Sequence, residues 1–188
     1  MTTPRPIFYD DDVAAALDGT RASIFLAGPT QRSRTSASLT PWRARAVALL
    51  ATFDGHVVIP EFRDRDFDVA AKQRFGAPAS PSSTMKATSF NILTWETHGI
   101  EHATAVLFWM PFAISDDDAS LPGFTTRAEV AREMVRSPAR IVLGMPAQAL
   151  SSSHIRYHAH HAGIPIHNTL EAAVAAALVV TRGTFPVR

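Results

Sequence analysis

Ala105-Val106-Leu107-Phe108-Trp109-Met110-Pro111 decides the fold. The apolar residues run on without the polar alternation of a half-wet strand, and a proline closes the run. A short, continuous apolar run ended by a breaker reads as a strand buried on both faces. Proline belongs just past the end of such a strand, because it cannot donate to a central ladder. The same form recurs in Ser23 to Ala27 before Pro29, His56 to Ile59 before Pro60, and Arg140 to Gly144 before Pro146. The proline exits are therefore expected to line one edge of one sheet. A further run, Ile164-Pro165-Ile166, is short and is expected at a sheet edge.

Helical patterns alternate with these runs. Pro41 to Phe53 places Trp42, Ala46, Leu49, Leu50 and Phe53 on one face, with Thr40 as N-cap and Pro41 at the first helical position. Phe90 to His102 carries a second stripe through Ile92, Leu93, Trp95 and Ile100. Thr126 to Val135, Ser153 to Ala162 (ended by Gly163) and a last helix opened by Asn168, with Glu171 completing a capping box, follow. Strands alternating with helices predict an α/β fold: a three-layer α/β/α sandwich, flavodoxin-like or Rossmann-like, around a five-stranded, mainly parallel sheet. One domain is expected over 1–188, interrupted by two insertions. Glu61 to Ser89 is charged and then Pro/Ser-rich, and reads as a lid or as partly helical around Val69 to Phe75. Phe112 to Pro122 carries Asp116-Asp117-Asp118, which reads as a solvated loop tip.

Bulk composition narrows the function classes. With 46% hydrophobic and 19% charged residues and a net charge of +1, nothing points to a nucleic-acid polymer or a membrane surface. The cations are nearly all arginine, Lys72 and Lys86 excepted, which keeps anionic small molecules open as ligands. There is no cysteine, so disulfides, thiolate metal sites and a cysteine nucleophile are excluded. The first residues lack the basic-then-apolar order of a signal peptide, and no apolar run reaches membrane-spanning length, so a cytoplasmic location is expected. His154, His158, His160 and His161 cluster on one predicted helix, but no acidic third ligand accompanies them, so no metal is expected. No cofactor is expected either. Neither a dinucleotide fingerprint nor a phosphate-loop lysine motif is present.

Chemistry concentrates in two carboxylates. Pro122-Gly123-Phe124-Thr125-Thr126-Arg127-Ala128-Glu129 leads from the central strand into a helix, where open α/β sheets bind ligands. Thr126 to Glu129 also matches a capping box, and a carboxylate held by helix-terminal amides is expected to stay ionised near neutral pH, which suits a nucleophile. Glu96, after Trp95, lies in the helix before the central strand and is expected to reach the same edge. Its alternative is a solvated helix glutamate. Gly28-Pro29-Thr30 leaves the first long strand, with Gly28 opening the backbone to a ligand and Thr30 adding a hydroxyl; the alternative is a plain turn.

The stretches Ile24 to Thr30, Pro41-Trp42-Arg43, Val58-Ile59-Pro60, Trp95-Glu96, Val106 to Trp109 and Pro122 to Glu129, in this order, resemble the nucleoside 2-deoxyribosyltransferase-like superfamily. The resemblance spans residues 23–146. It implies that Glu129 is the nucleophile that forms a glycosyl-enzyme intermediate. It implies that Glu96 handles protons on the base, where the family usually has Asp. It further implies a nucleoside or nucleotide and a free nucleobase as partners, and a homo-oligomer of dimer size or larger. The function it implies is 2′-deoxyribosyl transfer between nucleobases. Hydrolysis of a (deoxy)nucleoside or nucleoside 5′-monophosphate is the alternative, and a non-catalytic nucleotide-binding module is a second. Phe25, Trp95, Trp109 and Phe124 are the expected aromatic walls for the base, with Gly28, Pro29, Thr30, Gly123 and Thr125 completing the substrate-binding set. Arg32 and Ser33, after Thr30, keep a 5′-phosphate open.

Overall fold

A computed structural model describes residues 4–30, 39–63, 87–111 and 123–184. The insertion tips at 64–86 and 112–122, with Asp116 to Asp118, lie outside the described residues, as do Arg32, Ser33 and the last four residues. Among the described residues six strands form one sheet: β1 (Arg5–Ile7), β2 (Ser23–Ala27), β3 (His56–Val58), β4 (Ala105–Trp109), β5 (Ile141–Gly144) and β6 (Ile166–His167). Their order is β1-β3-β2-β4-β5-β6, and every pairing is parallel. Helices α1 (Val13–Ala16), α2 (Pro41–Leu49), α3 (Ala87–His102), α4 (Phe124–Arg136), α5 (Ser153–His161) and α6 (Leu170–Thr184) connect and cover them. The sheet is open and sandwiched between helices, a three-layer α/β arrangement. No helix among the described residues is long and apolar enough to cross a membrane.

The sheet has one strand more than the five expected. Arg5–Ile7 pairs with β3 in the register Arg5↔His56, Pro6↔Val57 and Ile7↔Val58. A proline inside the run argues against a central strand, but at an edge its missing N–H faces no ladder. The strand at the opposite edge is displaced from Ile164 to Ile166–His167.

The period of two along each apolar run divides the core. Phe25, Ala27, Val58, Val106, Phe108 and Leu143 face one side, packed with residues such as Trp95, Val130 and Ala159 from α3, α4 and α5. Ile24, Leu26, Val57, Leu107, Trp109 and Val142 face the other, against Trp42 and Ala46 of α2 and Ala173, Val174 and Ala177 of α6. From β2 the chain crosses to β3 on one flank, and β4 then takes the other flank of β2. The carboxyl ends of β2 and β4 thus flank a switch in strand order, where open α/β sheets form their ligand crevice.

Two helix starts differ from expectation. α4 begins at Phe124 with Gly123 as N-cap in the left-handed region, φ 57°, so Glu129 sits in the second turn and there is no acidic residue in the first. Thr126 is buried inside the helix rather than capping it. At α6 the cap bond runs from Ala172 N–H to Thr169 Oγ1 at 3.2 Å, while Glu171 pairs with Arg45 of α2. Asn168 and Glu171 therefore form no capping box.

Candidate functional site

The exit of β2 is held from α2. Arg43 follows Trp42 on the helix face turned to the sheet, and its side chain is fully buried. Its Nε donates to Leu26 O at 3.1 Å, Nη2 to Gly28 O at 2.8 Å, and Nη1 to Thr30 Oγ1 at 2.9 Å and Glu61 Oε1 at 2.6 Å. Glu61 Oε2 in turn accepts from Thr40 N–H at 3.0 Å, and Trp42 Nε1 donates to Pro29 O at 3.0 Å. A buried guanidinium is tolerable only when paired and hydrogen-bonded, and here the partners fix Gly28-Pro29-Thr30 to α2 and to the β3 exit. Gly28 has a packing reason of its own. A Cβ there would meet Trp109 O at 2.5 Å and the Trp42 ring at 2.8 Å. The room left by its missing side chain is filled by the protein, which corrects the expectation of a ligand approach on that side.

The two carboxylates arrive from the other layer. Tyr9, just beyond β1, lies buried with its ring edge-on to Trp95, centroids 4.8 Å apart, and 5.0 Å from Phe62. Its hydroxyl donates to Glu96 Oε1, and Trp95 Nε1 donates to Asp11 O at 3.2 Å. Glu96 is thereby held against the segment that follows β1. Glu129 keeps part of its surface and, among the described residues, makes no hydrogen bond or ion pair. Burial first, then the negative charge of Glu96, push its pKa up to about 8, against the opposing pull of Arg132 and Arg43. This overturns the expectation of an ionised Glu129 at neutral pH. The amides assumed to hold it belong to the first turn, and Glu129 lies one turn further on.

The structure brings Glu96 and Glu129 into electrostatic contact, with Arg43 within range of both Tyr9 and Glu129. It does not make walls of the aromatic set. Phe25 is buried against Gly99 and Trp95, and Trp95 itself belongs to the same core. Trp109 is buried in the opposite core, with Trp42. Only Phe124 of that set is open, at 76% exposure, beside exposed Thr125 at the start of α4. Among the described residues no cluster of three or more His, Cys, Asp or Glu side chains is placed to hold a metal ion.

A depression of about 440 Å³ lies at the amino-terminal edge, lined by residues including Ser23, Glu101, His102, Thr104 and Arg140. Its charges serve the fold. Arg136 pairs with Glu101 at 2.6 Å, and Arg140 binds the final carbonyls of α3. The carboxyl edge is the stronger candidate, because titratable groups there perturb one another.

Tyr9, Arg43 and Glu61 were not singled out as site residues in the sequence. Arg43 had a signal: an arginine beside Trp42, on a helix face that must be buried, needs partners. Tyr9 had none, because the edge strand before it was not recognised. A scan against protein-family models finds no match to this chain, and a search of curated proteins finds none either.

Proposed function

We propose that the protein is a cytoplasmic, homo-oligomeric enzyme that makes and breaks N-glycosidic bonds of (deoxy)nucleosides, with 2′-deoxyribosyl transfer between nucleobases as its reaction. The observation that carries this reading is the carboxyl pair. Glu96 lies within electrostatic reach of Glu129, and its charge raises the proton affinity of Glu129. Such a pair holds one proton and one negative charge between its members near neutral pH, and its titration belongs to the pair. Glycoside chemistry needs that complement: one carboxylate to attack the anomeric carbon and one acid to protonate the leaving group.

By the sequence resemblance, Glu129 attacks. Its proton passes within the pair, so that Glu96 carries it to the departing base as the C1′–N bond breaks and a C1′–O bond to Glu129 forms. A second base, activated by Glu96 as it takes the proton back, then releases the sugar from Glu129. Exposed Phe124 is the aromatic surface available for stacking a base.

The test is incubation with a panel of deoxynucleosides and deoxynucleotides, with and without a second free base, and chromatographic separation of products. The proposal expects a new nucleoside that appears only with acceptor base and is lost in Glu129→Ala. Free base and free sugar without exchange would assign hydrolysis, water replacing the acceptor. Silence across the panel with retained nucleotide binding would leave the non-catalytic module. Sedimentation decides the oligomer, a monomer at all concentrations refuting it.

A further inference from the structure

Tyr9 lies outside every stretch that carries the sequence resemblance, on the segment that follows the edge strand β1. Its backbone, ring and hydroxyl are all engaged. Its N–H donates to Glu61 O at 3.0 Å, its ring packs on Phe62 and Trp95, and its hydroxyl donates to Glu96 Oε1. A phenylalanine would satisfy the packing alone; the hydroxyl is what needs a partner, since a buried phenol must place its O–H. Glu96 projects from the middle of α3 on a side chain with several rotatable bonds. A rigid, buried donor restricts that side chain to one carboxylate position.

We infer that Tyr9 is a positioning residue, which through its hydroxyl fixes the Glu96 carboxylate in the crevice beside Glu129. This rests on the reading of Glu96 and Glu129 as the reacting pair. Among the described residues, the charged groups that act on the phenol include Glu96 from α3, Glu129 from α4 and Arg43 from α2. Burial, Glu96 and Glu129 hold its pKa well above the usual phenol value, with Arg43 opposing, so Tyr9 stays a donor throughout the working range. Edge strand β1 thereby gains a role beyond completing the sheet: it leads into the segment whose Tyr9 orients Glu96.

The chain has two tyrosines, and the other, Tyr157, is 61% exposed, so phenolate absorbance can follow each. Tyr157→Phe leaves Tyr9 as the one phenol of the chain. In that background the phenolate step should come only well above the usual phenol range, and should vanish when Tyr9→Phe is added. Glu96→Gln, which removes the charge, should draw that late step down; a late step unmoved by Glu96→Gln overturns the inference. Kinetics supply the second arm. Tyr9→Phe, which keeps the packing ring, should cost about tenfold in kcat with KM little changed. Unchanged kcat would reduce Tyr9 to core packing. A coupled titration in a protein that converts no nucleoside would instead refute the reaction while leaving the Tyr9–Glu96 pairing in place.

Discussion

Glu129 carries a conflict between stability and chemistry. A carboxyl group with a folded-state pKa near 8 binds its proton more tightly than in the unfolded chain, where the ordinary value is 4.5. Its contribution to stability is fully present below the unfolded value and is lost as pH rises through the folded one. Glu129→Gln should therefore be neutral near pH 4.5 and progressively stabilising up to pH 8, by about 2 kcal/mol after discounting for residual exposure. Thermal melts of both proteins across that range check this, and a difference independent of pH would refute the raised pKa. Arg43 makes the opposite case, a buried charge whose partners are all in place. Arg43→Met leaves Glu61 buried without its cation and should cost about 3–5 kcal/mol in urea unfolding, part of it recovered when Glu61→Gln is added. Glu129 drew attention in the sequence by its place beyond the central strand, and Glu96 by its place after Trp95 in the helix before that strand. Their ionisation was not legible there, because it depends on burial and on a neighbour contributed by another helix. The buried pairing of Arg43 with Glu61, from the start of α2 and the exit of β3, was likewise invisible in a linear reading.

At the level of elements, the central strands read well because continuous apolar runs closed by prolines admit few alternatives, and β2 and β4 begin and end where expected. Helix starts read less well. The start of α4 turns on a glycine in the left-handed region, and a Thr-x-x-Glu pattern imitates a cap three residues too late. β1 was missed because its proline mimics a breaker. How closely elements approach one another is also hidden from the sequence, and two glycines separate the cases. At Gly28 an added Cβ would press into the Trp109 carbonyl and the Trp42 ring, and a backbone atom cannot swing aside. Gly28→Ala should cost about 1–3 kcal/mol and, by displacing the β2 exit held by Arg43, should also lower activity. Gly163, with φ +69° and open space around it, closes α5. Gly163→Ala should cost only about 1 kcal/mol of backbone strain and leave the site untouched. Chemical denaturation with activity measured in parallel distinguishes the two; equal effects on activity would remove the argument that the β2 exit belongs to the site.

The whole molecule assembles its candidate site from both helical layers. Glu96 and Glu129 come from α3 and α4 on one face, Arg43 from α2 on the other, and Tyr9 from beyond the edge strand; the switch in strand order between β2 and β4 lets them meet. If the pair works as one unit, its pH profile belongs to the assembly. Above about pH 8 the last shared proton leaves, both groups are charged, and no acid remains for the departing base. The rate on an ordinary deoxynucleoside should therefore fall on the alkaline side with a midpoint near 8. Removing the charge of Glu96 removes one cause of the raised pKa, so in Glu96→Gln Glu129 should ionise at lower pH. That variant lacks the acid, and its rate on the ordinary substrate should collapse by about 10²–10⁴-fold. A deoxyriboside whose leaving group departs without protonation bypasses the loss. On such a substrate Glu96→Gln should recover most of its rate, now rising with pH as Glu129 ionises, while Glu129→Gln stays inactive. Recovery in Glu129→Gln instead of Glu96→Gln would exchange the two roles. It would make Glu96, already oriented by Tyr9, the nucleophile, and Glu129, already protonated at neutral pH, the acid.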